Sequence, residues 1–72
     1  MIHKTAIIDA KANISENVNI GAYSVIGPNV TIDRDVKIHA QVNINGNTSI
    51  GKGTIIYPFA SIGNDPQDLK FN

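Results

Sequence analysis

The stretch Val18-Asn19-Ile20-Gly21-Ala22-Tyr23-Ser24-Val25-Ile26-Gly27-Pro28-Asn29-Val30-Thr31-Ile32 places isoleucine at every sixth position, with a small or β-branched residue two places before each. The register extends in both directions without an omission, from Ile2, Ile8 and Ile14 to Ile38, Ile44, Ile50, Ile56 and Ile62. A helical face repeats every ~3.6 residues and drifts off a six-residue spacing within two turns. A simple strand alternates every second residue and has no reason to single out one aliphatic type at every third inward position. Internal repetition at a fixed short period is the mark of a solenoid.

The positions two before each isoleucine are Ala6, Ala12, Val18, Ser24, Val30, Val36, Val42, Thr48, Thr54 and Ala60. Residues two apart share one side of a strand, so each hexad supplies a small residue and then a large one facing inward, followed by a tight corner. Three such flat faces close a triangular coil of eighteen residues. The chain is therefore predicted to be an all-β, parallel β-helix of about three and a half coils. Residues eighteen apart stack, so Ile2, Ile20, Ile38 and Ile56 form one column, Ile8, Ile26, Ile44 and Ile62 a second, and Ile14, Ile32 and Ile50 a third. Each buried isoleucine contributes roughly 1.5–3 kcal/mol relative to exposure. The corner residues agree with this reading. Asn17, Asn29, Asp35, Asn47 and Gly53 stand three places after an isoleucine, where a left-handed backbone is expected. Asp9, Asp33 and several glycines follow the isoleucines directly, and Pro28 and Pro58 come next.

The hexads occupy residues 1–63; Asp68 then stands where the next isoleucine is due, and residues 64–72 read as a loop leaving the coil, with Pro66 favouring a turn. No terminal cap is readable beyond the last coil, so the chain is expected to be an N-terminal piece of a longer protein. Formal net charge is zero and the charges are scattered, which argues against nucleic acid or a membrane surface as partner. The chain has no cysteine and no unbroken apolar run long enough for a span or a signal peptide, and a cytoplasmic location is expected.

Chemistry-bearing side chains are sparse. His3 and His39 fall in one column two coils apart, roughly 9–10 Å from each other, too far to share a metal ion, and are expected on the surface. Ser15, Ser24, Ser49 and Ser61 have no adjacent base for nucleophilic catalysis. Asp9, Asp33 and Asp35 read as corner residues. Tyr23, Tyr57 and Phe59 suit either an interface between protomers or plain surface. Gln67, Asp68 and Lys70 differ, because an amide, a carboxylate and an ammonium within four residues suit a polar ligand such as a sugar nucleotide, although an ordinary polar loop has the same composition.

The segment Tyr57-Pro58-Phe59-Ala60-Ser61-Ile62-Gly63 followed by Asp65-Pro66-Gln67-Asp68-Leu69-Lys70-Phe71 resembles the UDP-N-acetylglucosamine 3-O-acyltransferase family, which carries out the first step of lipid A biosynthesis. Ile26-Gly27-Pro28-Asn29-Val30 and Asn45-Gly46-Asn47-Thr48 resemble its earlier coils, whereas Gln41 and Asn47 stand where the family often has histidine. The resemblance implies left-handed coiling, against the usual right-handed crossover. It also implies a homotrimer with active sites in clefts between prisms, and a 3-hydroxyacyl donor on acyl carrier protein, with UDP-N-acetylglucosamine as acceptor. No metal or small cofactor is implied. The family's general-base histidine belongs to a later coil, so the resemblance assigns no catalytic residue here. It makes Gln67, Asp68 and Lys70 the substrate-binding candidates and implies that these 72 residues alone are inactive. Two other readings stay open, another hexapeptide sugar acyltransferase and a non-enzymatic β-helix scaffold.

Overall fold

A computed structural model describes residues 1–63 of the chain. Ten short strands follow one another at the six-residue period: β1 (Ile7–Ile8), β2 (Asn13–Ile14), β3 (Asn19–Ile20), β4 (Val25–Ile26), β5 (Val30–Ile32), β6 (Lys37–Ile38), β7 (Asn43–Ile44), β8 (Thr48–Ile50), β9 (Ile55–Ile56) and β10 (Ser61–Ile62). They assemble into three parallel sheets ordered β1-β4-β7-β10, β2-β5-β8 and β3-β6-β9. Every pairing joins residues eighteen apart, as in Ile8 with Ile26, Ile14 with Ile32 and Ile20 with Ile38. Ile2 joins the column of Ile20, Ile38 and Ile56 through a single parallel bridge to Ile20. The three isoleucine columns of the sequence are thus the three walls of the coil.

Burial follows the inward positions. Ile20, Ile26, Ile32, Ile38 and Ile44 expose 2% of their surface or less, while Ile2, which has a coil on one side only, is 46% exposed. Val18, Val30, Val36, Val42, Ile50 and Ile56 complete the core, with Ala6, Ala12 and Ala60 packed against it. Among the described residues the one buried polar side chain is Ser24, at 0% exposure. Its hydroxyl donates to the His39 carbonyl at 2.9 Å and accepts from the Val42 amide at 3.2 Å. In sibling corners the amide four places after the isoleucine donates straight back across the turn, as Ala12 does to the Asp9 carbonyl at 2.9 Å. At residues 39–42 the Ser24 hydroxyl of the preceding coil relays that bond. Thr48 and Thr54, at equivalent inward positions, instead donate to the carbonyls of Asn45 and Gly51 in their own corners, 2.8 and 2.7 Å away.

The corners only partly match expectation. Asn17, Asp35 and Gly53 are left-handed, with φ of 57°, 61° and 76°. Asn29 and Asn47 are not. After Ile26 the turn contains Pro28, whose ring holds φ negative, and β5 starts early at Val30. After Ile44 the left-handed residue is Gly46, one place sooner, and β8 likewise starts early at Thr48. The other non-glycine left-handed corners are Tyr23, Gln41 and Phe59, bulky residues with φ of 60°, 58° and 67°. Such side chains disfavour this region by roughly 1–2 kcal/mol. A bond to the preceding coil helps offset it at Gln41 and Phe59, whose amides donate to the carbonyls of Ala22 and Ala40. Asp9 and Asp33 are corner residues, as read from the sequence: their carboxylates accept from the amides of Lys11 and Arg34 at 2.9 and 2.7 Å. Asp35 accepts from the Asn17 carboxamide in the coil below, at 2.7 Å.

Two stability predictions follow from this packing. Ile44→Ala, which empties a fully enclosed site, should lower unfolding free energy by about 2–5 kcal/mol, whereas Asn13→Ala on an outer face should change it by less than about 0.5 kcal/mol, both read from urea denaturation. Ser24→Ala leaves the Val42 amide without its acceptor and should lower stability by about 1–3 kcal/mol in the same assay, with Ser49→Ala on an outer face near neutral.

Candidate functional site

The substrate-binding candidates Gln67, Asp68 and Lys70, and the rest of segment 64–72, lie outside the described residues. What the structure shows is the platform from which that segment continues. Strand β10 pairs in register with β7, Ser61 opposite Asn43 and Ile62 opposite Ile44, and the Asn45 amide donates to the Ile62 carbonyl at 3.0 Å. Gly63 then turns left-handed, with φ of 78°. A Cβ at Gly63 would run into the Asn45 carbonyl oxygen and the Thr48 hydroxyl, and a Cβ at Gly46 would sit 2.8 Å from the Gly63 carbonyl oxygen. Both positions therefore require glycine for conformation and for space. Asn45-Gly46 in one coil and Gly63 in the next form a tight backbone contact that fixes where the chain stands at residue 63.

Asn45 is itself held, its carboxamide donating to Asn43 Oδ1 at 2.9 Å. Thr48 completes the platform through its bond to the Asn45 carbonyl. None of these residues is ionisable. The platform positions backbone; the charged and amide groups expected to touch a ligand come after it in the chain. Sequence reading singled out the segment beyond Gly63 but not the Gly46–Gly63 contact, which was legible only as two glycines seventeen apart.

The remaining candidates stand where the register puts them. The amides of His3, Gly21 and His39 donate to the carbonyls of Ile20, Ile38 and Ile56 at 2.8–2.9 Å, which confirms one column with the two histidines separated by a coil. His3 is exposed, and its Nδ1 lies 3.1 Å from the Thr5 amide and 2.8 Å from the Thr5 hydroxyl. His39 is half-buried and stacks on Tyr57, with ring centroids 5.4 Å apart and planes 14° from parallel, a pairing available to sequence analysis as a spacing of eighteen. No group of three or more His, Cys, Asp or Glu side chains able to hold a metal occurs among the described residues. Ser24 serves the core and presents no exposed hydroxyl. Tyr23, Tyr57 and Phe59 are all more than 60% exposed.

Residues 1–34 and 31–64 each match the family described as bacterial transferase hexapeptide (six repeats). The chain is 51% identical over 70 residues to an acyl-[acyl-carrier-protein]–UDP-N-acetylglucosamine O-acyltransferase of Rickettsia canadensis, covering 97% of this chain and 26% of that protein. It is 55% identical over 71 residues to the enzyme of the same name from Herminiimonas arsenicoxydans, covering 99% of this chain and 27% of the relative. A crystal structure of a UDP-N-acetylglucosamine acyltransferase superposes with a TM-score of 0.93 at 50% identity, over 100% of this chain and 28% of that one. The chain thus spans about a quarter of the length of the curated relatives it matches. The six-residue register, the three parallel walls and these matches agree: the chain belongs to the bacterial hexapeptide transferase family, and its coils are a left-handed parallel β-helix.

Proposed function

We propose that these residues are the N-terminal coils and acceptor loop of an enzyme that transfers a 3-hydroxyacyl group from acyl carrier protein to the 3-hydroxyl of UDP-N-acetylglucosamine, the opening step of lipid A synthesis in the cytoplasm. The observation that carries this reading is the 50% identity and TM-score of 0.93 over the whole chain to a structure of that named activity. Hexads alone are common to many transferases. Agreement that extends through the Phe59-Ala60-Ser61-Ile62-Gly63 exit and the Pro66-Gln67-Asp68-Leu69-Lys70 segment is far more selective.

On this reading the acceptor hydroxyl attacks the thioester carbonyl carbon, the carbon–sulfur bond breaks, and the carrier's thiol leaves with a proton. The hydroxyl must lose its proton to a general base, a contribution of about 10²–10⁴-fold, and no such base is assigned within these residues. Their part is to bind and orient. Lys70 supplies a cation for the acceptor's phosphates or developing charge, Asp68 an acceptor for sugar hydroxyls, and Gln67 an amide that both donates and accepts. The Gly46–Gly63 contact delivers that segment from a rigid coil, which serves the positioning that bound-substrate reactions require. The enzyme would act as a homotrimer, and the exposed aromatic side chains Tyr23, Tyr57 and Phe59 support contact between protomers.

The test is a chimera in which residues 1–72 replace the matching segment of the Rickettsia canadensis relative. It should transfer 3-hydroxyacyl groups to UDP-N-acetylglucosamine, and Asp68→Ala or Lys70→Ala in it should lower kcat/KM by about 10- to 100-fold, the scale of a lost charge-assisted hydrogen bond. The isolated 72-residue chain should transfer none. A folded chimera without activity, or one indifferent to both substitutions, would overturn the assignment.

A further inference from the structure

The outer face of the β3-β6-β9 sheet carries an open groove of about 400 Å³ lined in part by Met1, His3, Asn19, Gly21, Lys37 and His39. Its origin is a missing side chain. In the column His3, Gly21, His39, Tyr57, each residue one coil above the last, only Gly21 has none. The coil's own packing demands glycine there, because a Cβ would lie 2.6 Å from the His39 carbonyl carbon and 2.7 Å from the Ala40 nitrogen. The consequence is an empty layer between two imidazoles.

That layer has the dimensions of an aromatic ring. His39 stacks nearly parallel on Tyr57 one coil above, and with Gly21 one coil below, no side chain of the column stacks on its other side. Two coil spacings separate the histidine backbones by roughly 9–10 Å, and a ring inserted midway would sit roughly 5 Å from each, within the range of about 4.5–7 Å that stacked aromatic pairs adopt. The walls are also charged in one sense only. None of the residues lining the groove bears a carboxylate, whereas Lys37 stands on its rim. Met1's amino group donates to Asn19 Oδ1 at 2.7 Å, which orients that carboxamide with its NH₂ as the remaining polar end. The Thr5 amide donates to His3 Nδ1, so a neutral His3 ring carries its proton on Nε2.

We propose that this groove binds a planar aromatic ring bearing an anionic group, the ring continuing the Tyr57–His39 stack over Gly21 and the anion paired with Lys37. The site lies on an outer sheet face, and its chemistry is independent of the loop assigned above.

The test is a titration of the 72-residue chain with 1-naphthyl phosphate, followed by ¹H–¹⁵N spectra. Saturable shifts should centre on Gly21 and His39, with nuclear Overhauser contacts from the naphthyl protons to Gly21 Hα. Lys37→Met should weaken this probe by about two- to fivefold, the scale of an exposed ion pair, and leave uncharged 1-naphthalenemethanol unaffected. His39→Leu should weaken both by about two- to tenfold through loss of the stack, with spectra elsewhere unchanged. The proposal is overturned by shifts that centre elsewhere, by inorganic phosphate alone reproducing them, or by both variants binding like the parent chain.

Discussion

The rest of the structure depends on one repeated hydrogen bond, from the amide of a residue to the carbonyl seventeen places later. It joins Ile7 to Ser24, Ser15 to Ile32, Gly27 to Ile44 and Asn45 to Ile62, each at 2.8–3.0 Å. Because its span is one residue short of a coil, residue and residue-plus-eighteen face each other, and identical side chains meet in columns. A slip of one residue would turn every isoleucine outward. The ladder and the isoleucine columns therefore enforce the same register, and neither works without the other. Strands only two or three residues long are stable here because both of their edges are paired in the middle coils.

Such a scaffold is indifferent to chemistry. Every described residue that builds it, from the Ser24 relay to the Asp33 and Asp35 corners, serves the coil itself. Function has to come from what interrupts the repeat. One such place is the left-handed turn at Gly63, locked against Gly46. The other is Gly21, where the demands of backbone packing remove a side chain from an otherwise filled outer column. Both are places where one coil's backbone approaches the next too closely for a Cβ, and in both the close approach shapes what lies outside the core.

The architecture was legible because periodicity is a property of many residues at once: columns, walls and inward positions could all be read from the spacing of isoleucine. Individual corners were less legible. Asn29 and Asn47 have the chemistry of left-handed residues, yet Pro28 and Gly46 divert their turns, while Tyr23, Gln41 and Phe59 adopt a conformation their side chains disfavour. At those corners the coil overrides local preference. The Ser24 relay and the His39–Tyr57 stack are pairings across coils, visible in sequence only once the period of eighteen is imposed. Gln67, Asp68 and Lys70 were singled out by composition and by resemblance to a family; no periodic signal reaches them.

The proposed function requires that the coils through Gly63 hold residues 64–72 against the acceptor sugar nucleotide. Hydrogen–deuterium exchange of the chimera, with and without UDP-N-acetylglucosamine, is the decisive experiment. Addition of the nucleotide sugar should slow exchange in peptides covering residues 64–72 and leave the amides of Ile26, Ile44 and their ladder neighbours unchanged and strongly protected. Unchanged exchange in 64–72 at a saturating concentration of the nucleotide sugar would contradict it.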